Sequence, residues 1–168
     1  MIAKLRLFLL LAVSTLFLFT AGCGKQDRTD EVAKDKPGMI GSLTDKPIAV
    51  YQNELLDLAF ATASAIPIKP HIKDRSLAQE GGVAASLELD LPRRALGLIE
   101  KIDNWRRGAG YADLAFYCAM HGYTDEVQQY LDLAGQISES AEDWRRDQIR
   151  VKIANTYTWL GQTRQADQ

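Results

Sequence analysis

Residues Leu114–Ala134 read LAFYCAMHGYTDEVQQYLDLA, and their pattern decides the fold. Leu114, Ala115 and Cys118 recur at the spacing of one helix face. Val127, Tyr130, Leu131 and Ala134 do the same on a second helix. Gly122 stands between the two sets, where glycine takes the left-handed conformation that ends a helix. Thr124 is placed to cap the second helix, with Asp125 and Glu126 in its positive first turn. The spacing predicts two helices folded back on each other across a short turn.

The stretch IANTYTWLGQTRQA, Ile153–Ala166, repeats that order, with Gly161 at the turn and Ile149, Ile153, Tyr157 and Leu160 along the apolar face. The two turn glycines lie 39 residues apart, and each follows a Trp-Arg-Arg triplet by 17 residues. The pattern resembles the tetratricopeptide repeat: a large residue beside a small one, an aromatic three positions on, a turn glycine, then a small and a large residue four apart. The resemblance covers residues 111–166 and implies an all-α fold, antiparallel helical hairpins stacked as a short α-solenoid. The chain departs from it at Cys118 in the aromatic slot and Val127 in the alanine slot, and no proline closes the repeat. Its spacing also exceeds the family's usual length of about 34 residues.

The same resemblance implies that a ligand lies against the first helix of each pair. The matching residues are Ala112, Phe116, Ala119 and Met120, then Val151, Asn155, Thr158 and Trp159. Phe116, Met120, Asn155 and Trp159 are therefore the expected partner-binding residues. Asn155 matches a place where peptide-binding members use asparagine to hold a ligand's backbone.

Arginine is unfavourable at the positive start of a helix, so the Trp-Arg-Arg triplets need compensation. Asp103 precedes Arg107 by four residues and Glu142 precedes Arg146 by four, the favourable acid-first order. The triplets are expected to mark corners where one hairpin hands over to the next, with tryptophan filling the joint. The competing reading is a site for an anion or a lipid headgroup on the paired arginines.

Upstream, Ala95, Leu98, Ile99 and Ile102 form one helix face, Pro92 sits near its first turn, and Asp90 occupies the glycine slot. A preceding helix is expected from about Asp74 to Leu89, with close packing or a break near Gly81 and Gly82. In the first helix, Leu55, Leu58, Ala59 and Thr62 share one stripe, with Leu56, Phe60 and Ala63 beside it; Pro67 and Pro70 stop it. Residues 24–47 carry mixed charges, glycines and prolines with few large apolar side chains, and read as a tether.

The first 23 residues run from a basic start, MIAKLR, through the apolar LFLLLAVSTLFLF to TAGC. This resembles a bacterial lipoprotein signal, with Thr20 where leucine is usual, and implies that Cys23 becomes a lipidated N-terminus. The expected organisation is a signal peptide over 1–22, lipidated cysteine and tether over 23–47, and a helical-repeat domain over 48–168. Gly24 is not the aspartate that retains such proteins at an inner membrane, which implies an outer-membrane anchor facing the periplasm.

The composition, 46 % hydrophobic and 25 % charged, is that of a globular domain, and the net charge of −2 argues against a nucleic-acid partner. Cys118 fills a core slot and reads as an inert thiol. The two histidines are His71 and His121; His121 directly precedes the turn glycine and is read as no metal ligand, so neither a metal nor a cofactor is expected. The expected function is a scaffold for an envelope protein or peptide; the other class is an enzyme, or an accessory subunit of an envelope enzyme complex, with a site the sequence does not group. The short final segment TRQADQ leaves an expected apolar strip near Trp159, covered by a partner, by a second copy or by further sequence. Lipidation is directly testable. The wild-type chain should incorporate labelled palmitate and enter the detergent phase on phase separation, and Cys23→Ser should incorporate none; label retained in the variant refutes the assignment.

Overall fold

A computed structural model describes residues 43–166, and all regular structure among them is helical. The helices are α1 (Val50–Ala65), α2 (Ile68–Glu88), α3 (Pro92–Ile99), α4 (Arg106–His121), α5 (Thr124–Glu139), α6 (Asp143–Trp159) and α7 (Thr163–Ala166). Cys23, the expected signal peptide and most of the expected tether lie outside the described residues. No described helix is long and apolar enough to cross a membrane.

Consecutive helices pack as pairs: α1 on α2, α2 on α3, α4 on α5, and α6 on α7. Three of the turns share one backbone device. Asp90, Gly122 and Gly161 adopt the left-handed conformation, with φ of 58°, 80° and 72°. After each, the next amide reaches back five residues: Leu91 N–H to Ser86 O (2.8 Å), Tyr123 to Cys118 (3.0 Å) and Gln162 to Tyr157 (2.8 Å). This is the Schellman closure, which satisfies carbonyls that a helix end otherwise leaves bare. Asp90 does what the two glycines do, because aspartate tolerates this conformation better than most residues.

Helix α4 is the centre. It packs against α2, α3, α5 and α6, and its residues Gly108 to Ala112, Leu114, Ala115, Tyr117 and Cys118 are buried. The expected faces of the neighbouring helices meet it: Ala95, Leu98, Ile99 and Ile102 from one side, Val127, Tyr130, Leu131 and Ala134 from another, and Ile149 from α6. Close approach depends on Gly108. A Cβ there would stand 2.9 Å from Ile137 Cγ2 and 3.0 Å from Ile149 Cδ1, closer than packed carbon atoms tolerate.

Of the two outcomes expected near Gly81 and Gly82, close packing is the one found: α2 stays helical through both, and a Cβ on Gly82 would stand 3.1 Å from the Phe60 ring. Other expectations change. In α1 the packed side is Phe60 and Ala63, while Leu55 and Leu58 are 61 % and 64 % exposed. Two adjacent apolar stripes compete on that helix, and only one can face α2. Thr124 begins α5 and makes no cap bond; Tyr123 holds the N-cap position. Residues Leu43–Lys46, read as tether, lie against α3. Leu43 is buried, and the Asp45 carboxylate accepts the amides of Arg93 (2.7 Å) and Arg94 (3.1 Å), capping a helix whose own N-cap residue, Leu91, has no side-chain bond. Lys46 N–H donates to Asp90 O at 2.9 Å.

The turn device yields a stability test. Gly122→Val should cost about 1–3 kcal/mol, because a β-branched residue resists positive φ. Gln129→Lys, on the exposed face of α5, should change stability by no more than about 0.5 kcal/mol. Denaturant titrations giving the two variants the same midpoint would contradict this account of the turn.

Candidate functional site

Between its exposed end residues, Arg107 and His121, the four helices around α4 leave one open strip: Asp113, Phe116 and Ala119 are half-buried and Met120 is exposed. These positions repeat every three or four residues, so they share a face. On α6 the facing residues are Lys152, Asn155, Thr158 and Trp159. Together the two helices enclose an open cavity of about 650 Å³, floored by the buried Ala112. A second cavity of about 590 Å³ lies between α2 and α4, lined among others by Leu87, Glu88, Asp90, Met120 and His121. Asp113 and Phe116 line both, so the two cavities adjoin across α4.

Phe116, Asn155 and Trp159, three of the four expected partner residues, thus surround one cavity, and Met120 lines its neighbour with Phe116. The Phe116 and Trp159 rings meet edge to face at 5.9 Å, yet Trp159 remains 59 % exposed. Among the described residues the Asn155 side chain has no hydrogen-bond partner, leaving a donor and an acceptor facing the cavity. Val151 is exposed beside this group but does not line either cavity.

Sequence reasoning missed the polar bridge. Lys152 Nζ donates to both oxygens of Asp113, at 2.6 and 2.8 Å, tying α6 to α4. The two residues are 39 apart, the spacing of the turn glycines, so they hold equivalent places in the two copies. Aligning the copies and asking which facing positions carry opposite charge is the signal that finds them. Burial raises the Asp113 carboxyl above the usual carboxylate range, and Lys152 offsets only part of that rise.

At the far end of the second cavity, Tyr117 O–H donates to Asp90 at 3.3 Å, and His121 stacks on the Tyr117 ring with centroids 3.9 Å apart. Burial, helped by Asp90, pushes the Tyr117 hydroxyl up to about 12. The Cys118 thiol behind it is likewise pushed up to about 12 by burial, then by Glu126, which keeps it protonated and a poor nucleophile at neutral pH. Among the described residues no group of three or more His, Cys, Asp or Glu side chains is placed to hold a metal ion.

The Trp-Arg-Arg triplets come together at a corner away from these cavities. Trp105 and Trp144 meet edge to face at 5.4 Å, and each is covered by the arginine after it: Arg106 4.7 Å from the Trp105 centroid, Arg145 5.1 Å from that of Trp144. The expected Asp103–Arg107 and Glu142–Arg146 pairs do not form. Asp103 precedes the first turn of α4, where a spacing of four has no helical meaning, and it pairs with Arg75 at 3.6 Å. Glu142 takes Arg145 at 3.5 Å, Arg146 takes Asp143, and Arg106 takes Glu80. A hollow of about 330 Å³ at this corner is lined by Arg107 and Arg145 but also by Asp103 and Glu142, so its charges balance and it offers an anion no net attraction.

No family model, curated protein or solved structure matches this chain.

The raised Asp113 carboxyl gives a pH test with a definite sign. When the folded-state pKa lies above the unfolded one, the folded chain holds its proton longer. The group's contribution is then full below the ordinary carboxylate pKa and is lost as pH rises through the raised one. The melting temperature of the wild type minus that of Asp113→Asn should therefore fall as pH rises from about 3 to 6. A difference that grows over that range would show that Lys152 dominates.

Proposed function

We propose that this chain is a lipid-anchored envelope protein whose tetratricopeptide-like helical pairs form a binding scaffold. The groove across α2, α4 and α6 holds an extended segment of another envelope protein. The observation that carries this reading is the pair of adjoining cavities along α4, on the first helix of each of three pairs that share one turn geometry. Such openings have the size of ligand sites, about 300–1,000 Å³. Their lining joins apolar anchors, the half-buried Phe116 and the exposed Met120 and Trp159, to an unpartnered amide at Asn155. A side chain inserted beside Phe116 and Trp159 would gain about 1.5–3 kcal/mol from burial alone. The anchor rests on the resemblance of residues 1–23 to a lipoprotein signal. It would hold the scaffold near a membrane surface, facing the periplasm.

Position-resolved photo-crosslinking tests the reading in cells. A photoreactive amino acid at Thr158, in the groove, should give one discrete protein adduct that Trp159→Ala abolishes. The same group at Gln129, on the exposed surface of α5, should give none. Equal adducts at both positions would refute the groove as the binding face.

A further inference from the structure

The two cavities differ in chemistry, and the difference specifies a ligand. Between α2 and α4, three carboxylates line the opening, Glu88, Asp90 and Asp113, and no lysine or arginine does. Glu88 is exposed and has no partner among the described residues. Asp90 meets Lys46 at 3.3 Å and His121 at 3.7 Å, pairs open to water and so worth little, and accepts the Tyr117 hydroxyl at 3.3 Å. The walls beside these acids are apolar: Leu87, Phe116 and Met120. A long cationic side chain suits such a place, since its stem covers apolar surface while its head meets the acids and the ring faces. An acidic segment would meet like charge. Between α4 and α6 the lining is aromatic, Phe116 against Trp159, above the small Ala112.

We propose that the groove selects an extended peptide carrying a lysine or arginine for the α2–α4 cavity and an aromatic or large aliphatic residue for the α4–α6 cavity. This rests on the scaffold reading above. Adjacent helix axes lie about 8–10 Å apart, and an extended chain advances about 3.3 Å per residue, so the two anchors stand about two to four residues apart. Asp113 also lines this cavity, but both its oxygens are held by Lys152 at 2.6 and 2.8 Å, so Glu88 and Asp90 are the acids that meet the basic anchor.

The test is selection of displayed random dodecapeptides on the full chain in mild detergent, followed by fluorescence anisotropy with the most enriched peptide. The expected result is a basic residue two to four positions from a bulky apolar one. Reversing the exposed charge with Glu88→Lys should weaken binding about three- to tenfold, and Trp159→Ala should weaken it independently. Both residues are exposed, so unchanged melting curves will show that the variants fold. Enriched peptides that are acidic or uncharged, yet still lose affinity in Trp159→Ala, overturn this proposal and leave the scaffold reading standing. Basic peptides that bind Glu88→Lys as tightly as wild type also overturn it. Failure to enrich any peptide, or peptides indifferent to both variants, overturns the scaffold reading and this proposal with it.

Discussion

The contact of the α4 backbone with the side chains of Ile137 and Ile149, at Gly108, governs how closely α5 and α6 stand to the central helix. Glycine inside a helix costs roughly 0.5–1 kcal/mol against alanine. Here that cost is outweighed, because a Cβ would force the partly buried Ile137 and the wholly buried Ile149 outward and open gaps around them. Gly110 repeats the device on the other side, where a Cβ would stand 2.9 Å from Ile99. With α4 gripped from several sides by small residues, its one remaining strip becomes a wall of the groove. Packing and candidate function thus follow from one helix.

The polar side of the fold is handled by long-range partners. Arg75 of α2 donates to the carbonyls of Ser64, in the last turn of α1, and of Ile66, its C-cap residue. The half-buried Arg106 is held by Glu80, also half-buried and on α2, and the buried Gln79 reaches Ser64 at 3.0 Å. Asp45 caps α3 from 48 residues upstream of Arg93. Each bond joins segments that the hydrophobic pattern only places side by side, and each fixes their register.

What the sequence disclosed and what it withheld divide along the same line. Periodicity exposed the faces of α3 and α5, because there one stripe is apolar and the other polar; on α4 it picked out Leu114, Ala115 and Cys118, which are part of a helix buried on most of its sides. It misplaced the buried side of α1, where Leu55 and Leu58 compete with Phe60 and Ala63 and only the partner decides. The turn residues were readable, including Asp90 in a glycine slot, since positive φ leaves few choices. Gly108 was not, because a glycine within a helix looks like weak propensity until the opposing isoleucines are in place. At the groove, the repeat register gathered Phe116, Asn155 and Trp159 but was silent on Asp113 and Lys152. Their meeting depends on how two copies stack, which no single copy encodes.

The segment at Leu43–Lys46 has a mechanical consequence. Its carboxylate and backbone bonds fasten the incoming chain to the start of α3 and to Asp90, beside the groove, before α1 begins. A pull arriving from upstream is therefore borne first by Asp45, Lys46 and the buried Leu43, and α1 hangs from the far side of that fastening, shielded from the load. Tension applied to the chain ahead of Leu43 acts on the Asp90 corner, where Tyr117 and His121 also converge. The point of attachment and the wall of the groove share a residue, so strain on one is felt at the other.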